Sequence, residues 1–280
     1  PNGYSAMGGQ TLHPYGRKVL DTGGSSSGSG VSTTSNLAAG SLGSETSGSI
    51  LSPSSANSLV GMKPTIGNVS RAGIVPISST LDTAGPMTKF VIDNILIYNA
   101  INDFDPLDEY SDENYDIDLE SVINNKTIKY RIGYFKSFYE RDILYKNSID
   151  FLKEKGLEIV DIDAPEIRLE GFAKILDEDM RHDLRSYLFS YGNKNLKVED
   201  ILSIIKYNEQ DSVERAPYGQ GIFKKIIKDT MPINDFEDLK FELMSKGNEF
   251  FNIPMDKFNL DVVLSINNYH AGYAAMAHNP

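Results

Sequence analysis

The chain has 280 residues, is 40% hydrophobic and contains no cysteine, which excludes a disulfide scaffold, thiolate catalysis and cysteine-ligated zinc. Its formal net charge is −12, from 39 acidic against 27 basic residues, and this argues against nucleic acid as a partner, because phosphate contacts need clustered Lys and Arg. No run approaches the roughly 18 apolar residues of a membrane span and no leader-type segment opens the chain, so the expectation is a protein without a membrane partner, cytoplasmic in location.

In chain order, residues 22–58 come first and are dense in Gly and Ser. Such a composition fits a flexible linker. However, Leu37, Ala38, Ala39, Leu42, Ile50, Leu51, Leu59 and Val60 interrupt it and call for burial on both sides of the serines. Small residues in an apolar frame imply close backbone packing or a site. From Gly61 to Gly85 short apolar stretches alternate with Gly and Pro, which predicts strands and turns. Lys89–Ala100 is predicted helical. Asp103–Glu120 is rich in Asp and Glu, poor in branched apolar residues, and reads as an exposed loop.

A strand, helix, strand pattern follows at 130–135, about 140–155 closed by Gly156, and 157–162, which predicts a βαβ-like crossover in a parallel or mixed sheet. From Leu169 to about Phe251 the pattern is helical. Within it Ile175, Met180, Leu184, Tyr187 and Leu188 make an apolar stripe expected in the core. A strand at 260–266 and a small-residue helix ending at Pro280 complete the chain. The fold class is therefore α/β, a mixed β-sheet core flanked by helices with a helical cap. The expected organisation is a serine-rich core over 1–100, an acidic loop and βαβ-like continuation over 101–168, a helical cap over 169–252 and a return to the core over 253–280.

Three elements carry the chemistry: Gly23-Gly24-Ser25-Ser26-Ser27-Gly28-Ser29-Gly30, then Gly43-Ser44-Glu45-Thr46-Ser47-Gly48-Ser49-Ile50, then Val60-Gly61-Met62-Lys63-Pro64-Thr65. With Val69-Ser70-Arg71, Pro76-Ile77-Ser78 and Leu81-Asp82-Thr83-Ala84-Gly85-Pro86-Met87, they run in order from Gly8 to Met87, and several motifs in sequence are far more specific than one. This stretch resembles the amidase signature family. The resemblance implies that Ser49 is the nucleophile for carboxamide hydrolysis. Ser25, at the family's spacing upstream and preceded by a cis peptide bond, would be the relay through which a neutral lysine takes the proton. It further implies oxyanion donors at Thr46, Ser47, Gly48 and Ser49, since small residues let consecutive backbone N–H groups converge on a developing charge. Ser26 and Ser44 would support them. The implied substrate is a small-molecule or peptide amide cleaved through an acyl-enzyme, with no cofactor and no metal; the sequence sets no oligomeric state.

The sequence departs from the family's pattern in two ways. The commoner family text has Thr-Asp where this chain has Ser44-Glu45, and a glycine at Ser47. The catalytic lysine of the family lies upstream of the serine motif, and neither Lys18 nor Lys63 matches it, so the chain is expected to be a fragment truncated at both ends. A free-standing, peptide-amidase-like enzyme is favoured, on Glu45-Thr46-Ser47, Asp183-Leu184, Tyr187-Leu188, Asn208 and Gly219-Gln220, over the glutaminase component of a tRNA-dependent amidotransferase, which shares the serine core but works in a complex. A noncatalytic fragment stays open because the lysine is missing. Gly24-Ser25-Ser26-Ser27-Gly28 also fits a nucleophile elbow served by His182, His270 or His278, but 17–22 is too polar for the strand an elbow requires. The four histidines, His13 included, never pair at metal-ligand spacing.

Overall fold

A computed structural model describes residues 2–112, 116–124, 129–193, 195 and 197–280. The chain opens with a small hairpin of β1 (Tyr4–Ser5) and β2 (Gly9–Gln10), followed by α1 (Ser27–Thr34), β3 (Gly40–Glu45), α2 (Leu51–Ala56), β4 (Val60–Gly61) and β5 (Thr83–Thr88). The last three strands form an antiparallel sheet in the order β3-β5-β4, with Gly43 opposite Gly85 and Glu45 opposite Thr83. Along β3, Gly43 and Glu45 are buried while Leu42 and Ser44 are exposed, the alternation that the two-residue period of a strand imposes. Expected burial therefore fails at Leu42, which faces outward on an edge strand, and at Leu37 in the turn before it, which is 79% exposed. Ile50 is fully buried.

Next come α3 (Val91–Ile101), α4 (Leu119–Asn124), β6 (Arg131–Phe135), α5 (Lys136–Arg141), α6 (Ile143–Glu154) and β7 (Glu158–Ile162). The single helix expected at 140–155 is two. Asp142 adopts an extended backbone and its carboxylate accepts the Tyr145 N–H at 2.8 Å, an N-cap that starts α6 and ends α5. Gly156 follows α6 with φ +81, the left-handed conformation that terminates helices. β6 and β7 pair in parallel, Gly133 opposite Val160, so the crossover follows the sequence pattern.

The acidic segment contains a buried ion pair rather than only solvated charge. Asp108 is 7% exposed. Arg71 clamps it with Nε on Oδ2 at 2.8 Å and Nη2 on Oδ1 at 2.6 Å. The bidentate geometry explains why a carboxylate is tolerated inside; residues 113–115 of that segment lie outside the described residues.

The helical region comprises α7 (Phe172–Tyr191), α8 (Ile201–Glu209), α9 (Ser212–Arg215), α10 (Gly221–Ile226) and α11 (Ile233–Phe258), and α11 runs on past residue 252. The predicted stripe on α7 is core: Ile175 packs with Leu81, Leu243 and Met276, and Leu184 with Ile201, Ile205 and Ile226. β8 (Val262–Leu264) adds to β6 in parallel, giving the order β7-β6-β8, and α12 (Ala271–Met276) closes the chain against α11. The fold is thus mixed α/β with sheets flanked by helices. The turn after β8 packs back on the serine-rich segment, Asn267 against Ser55 of α2 and Asn268 against Gly48 in the loop ahead of it.

Candidate active site

Two serine loops meet at one place. The first, ahead of α1, carries Gly23 with φ +66, where a Cβ would stand 2.6 Å from the Pro53 backbone of α2, so only glycine lets the loop lie this close. The Gly24–Ser25 peptide bond is cis. The second loop links β3 to α2 and turns at Gly48, φ +100, with Asn268 Nδ2 2.6 Å from the position a Cβ would take. Ser26 joins the two: its N–H donates to the Ser49 carbonyl at 3.2 Å, its hydroxyl donates to the Ser44 carbonyl at 3.0 Å, and it accepts the Ser44 N–H at 3.1 Å. Ser25 is exposed and Ser49 half-buried. Ser26 and Ser44 thus tie one loop to the other.

Glu45 organises the second loop from beneath. Its side chain is 1% exposed and accepts three backbone N–H groups, Gly48 at 2.6 Å, Ile50 at 2.7 Å and Leu51 at 3.0 Å. A carboxylate facing the amides that open a helix is favourable both as a hydrogen-bond acceptor and against the helix dipole. The Gly48 N–H therefore points at Glu45, which narrows the expected oxyanion donors to Thr46, Ser47 and Ser49. In the sequence Glu45 stands out only as a departure from Asp; its position between small residues gives no sign of three bonds.

Thr46 is anchored from the other side, its hydroxyl donating to Asp82 Oδ1 at 2.5 Å. Asp82 also accepts the N–H groups of Ile77 at 2.8 Å and Ser78 at 2.9 Å, and burial raises its carboxyl despite these bonds. Ser78 Oγ continues the chain of contacts to Asp179 on α7, and Ser79 N–H donates to Asp183 at 2.6 Å. A cavity of about 450 Å³ opens beside Asp82 and Asp183.

Burial pushes Asp183 up to about 6, with the Ser79 N–H opposing and Asp179 assisting. An ordinary carboxyl titrates near ~4, so the folded state binds the proton more tightly than the unfolded one. The stabilisation is complete below about pH 4 and is lost as pH rises through about 6. Asp183→Asn keeps an acceptor for Ser79 and removes the charge. Thermal melts are expected to give a higher Tm than the unsubstituted chain at pH 7.5 and no gain at pH 4; equal shifts at both would contradict a buried charge.

Neither nearby lysine fits a base at the serines. Lys18 is exposed. Lys63 is 3% exposed, donates to the Pro64 carbonyl at 3.0 Å, and is pulled down to about 8 by burial, with Glu45 opposing. Among the described residues no hydrogen bond joins it to Ser25 or Ser49. The elbow reading fails on structure as well: among the described residues no strand lies between Gln10 and Gly40. His270 sits among Phe135, Phe138 and Phe250, lowered to about 4 by burial, with Ser265 as its partner at 2.9 Å. Among the described residues no cluster of metal ligands occurs.

The Amidase family profile matches residues 1–265, and the chain belongs to that family. An Arabidopsis thaliana protein described as "Probable amidase At4g34880" is 53% identical over 109 residues, 39% of this chain and 21% of the relative. A glutamyl-tRNA(Gln) amidotransferase component from Caldanaerobacter subterraneus is 34% identical over 239 residues, 77% of this chain and 49% of the relative. Among solved structures, an amidase family protein from Bacillus anthracis superposes with a TM-score of 0.90 at 30% identity, covering 99% of this chain and 56% of that one. The peptide amidase of Stenotrophomonas maltophilia gives 0.86 at 26%, covering 99% and 61%. The chain thus spans about half or less of the length of these curated relatives. No described helix is long and apolar enough to cross a membrane.

Proposed function

We propose that this chain carries the serine half of an amide hydrolase that cleaves small-molecule or peptide carboxamides by a Ser-cisSer-Lys mechanism in the cytoplasm. Ser49 Oγ attacks the carbonyl carbon while its proton passes through Ser25 toward a neutral lysine, which the family resemblance places upstream of the serine motif. The negative charge that forms on the carbonyl oxygen faces the amides of Thr46, Ser47 and Ser49. The amine or ammonia leaves with a proton, and water then releases the carboxylate from the acyl-Ser49 ester. One observation carries the reading: the two serine loops are locked together by the Ser26–Ser49 and Ser26–Ser44 bonds while Glu45 fixes the Gly48–Leu51 backbone beneath.

The match to an amidotransferase component over 77% of the chain supports a second reading, glutamine hydrolysis within a complex. The near-complete superposition on a peptide amidase favours the first. Both share Ser49, so the test is chemical: a fluorophosphonate probe followed by peptide mass mapping. The expected adduct is on Ser49, absent in Ser49→Ala and formed more slowly in Ser25→Ala; an adduct on another serine would refute the assignment.

A further inference from the structure

The cavity of about 450 Å³ beside Asp82 and Asp183 has no residue of either serine loop in its wall. Its volume is that of a small-ligand pocket. Three parts of the chain enclose it: the 71–82 segment, residues 107–109 of the acidic segment, and one face of α7 that presents Asp183, Tyr187 and Tyr191 at four-residue spacing.

Charge in this wall is one-sided. Asp82, Asp108, Glu109 and Asp183 line the cavity against a single cation, Arg71. Arg71 is already committed: Nε and Nη2 hold Asp108, Nη1 donates to the Ser79 carbonyl, and the guanidinium lies over the Tyr110 ring at 4.4 Å. Among the described residues no basic side chain forms an ion pair with Asp82, Glu109, Asp179 or Asp183. Asp82 and Asp179 are 7% and 5% exposed. Burial first, then the charges of Asp179 and Asp82, push the Asp183 carboxyl up to about 6. Carboxylates crowded around a space without a counter-cation of their own favour a cation within it.

The kind of cation follows from two further observations. Among the described residues no three His, Asp or Glu side chains come together in a way that could hold a metal ion, so the charges surround the space rather than converge on a point, as a metal would require. Tyr187 and Tyr191 supply two rings with centroids 5.3 Å apart, inclined by 32°. Among the described residues no Lys or Arg stacks on either ring, which leaves both for a cation that carries an apolar body. We infer that this cavity binds an organic primary amine in its ammonium form, with the charged nitrogen at Asp183 and the apolar body against Tyr187 and Tyr191. The site is distinct from Ser25 and Ser49 and does not depend on the hydrolase reading.

Titration calorimetry at pH 7.5 and low ionic strength tests it with benzylammonium chloride as the probe, benzyl alcohol as its neutral counterpart and calcium chloride as the metal alone. Benzylammonium is expected to bind one to one and more tightly than either. Asp183→Asn keeps an acceptor for Ser79 and removes the charge, and should weaken benzylammonium by about 10- to 100-fold, the ratio that a hydrogen bond to a charged group supports. Tyr191→Ala, at a half-exposed position, should weaken it by about two- to fivefold. Glu154→Gln removes an exposed carboxylate at the end of α6, outside the cavity, and should leave binding unchanged. Equal binding of benzyl alcohol, undiminished binding in Asp183→Asn with native circular dichroism, or equal weakening in Asp183→Asn and Glu154→Gln would overturn the site. Calcium binding tighter than that of benzylammonium would overturn the assignment to an organic amine.

Discussion

Replacing Ser49 by alanine in the complete enzyme is expected to abolish amide hydrolysis, because it removes the hydroxyl proposed to form the acyl intermediate, on the turn that Glu45 and Ser26 hold. Ser25→Ala should lower kcat by about 10²–10⁴-fold, the usual contribution of positioned proton transfer, with a smaller change in KM. Both variants should melt close to the unsubstituted protein, since Ser25 is exposed and Ser49 half-buried. Ammonia release from a peptide amide, measured beside thermal melts, separates chemistry from folding. Turnover by Ser49→Ala at the normal rate would remove it as nucleophile, and an unchanged kcat in Ser25→Ala would remove the relay.

Truncating Glu45 is expected to have the second largest effect, and on two observables together. The side chain is 1% exposed and is the acceptor for three amides of the turn that carries Ser49. Removing a charged acceptor leaves buried donors unpaired, each costing about 1–3 kcal/mol. It also leaves Lys63, whose charged form Glu45 favours, without that support. Glu45→Ala should therefore lose about 3–5 kcal/mol of stability, the range for removing one partner of a buried charged set.

With the turn loosened, labelling of Ser49 by the fluorophosphonate should slow by at least about tenfold even at temperatures where the variant is folded, since small misplacements of a reacting group are costly. Glu45→Gln keeps an oxygen but turns an amino group toward some of the same N–H groups, so it should fall between the two. Urea denaturation and labelling rates check both; an unchanged midpoint with unchanged labelling in Glu45→Ala would show that the three bonds hold nothing in place.

How much of this is legible without coordinates depends on the range of the interaction involved. Ser25, Ser26, Ser44 and Ser49 can be picked out as candidates because they lie in short motifs whose spacing resembles a family pattern. The parallel pairing of β6 with β7 follows from local periodicity with a glycine at the helix end. The break at Asp142 escapes such reading because an N-cap aspartate and a helix-surface aspartate look alike in sequence. Leu42 is expected inside because hydrophobicity alone does not say which face of an edge strand meets the core.

By itself, then, the sequence determined the α/β class, the family resemblance and the composition of the serine loops, all of which rest on residues near one another in the chain. Only the tertiary structure decided which partners those loops have. Thr46 finds Asp82, Arg71 finds Asp108 and Ser78 finds Asp179 across 36, 37 and 101 positions respectively. The fate of the Gly48 amide was equally invisible, since a hydrogen bond depends on distance and angle, and the path of the backbone through Gly48 sets both. Burial then shifted the Asp183 carboxyl up and the Lys63 ammonium down, because desolvation depends on what packs around a charge rather than on its neighbours in sequence.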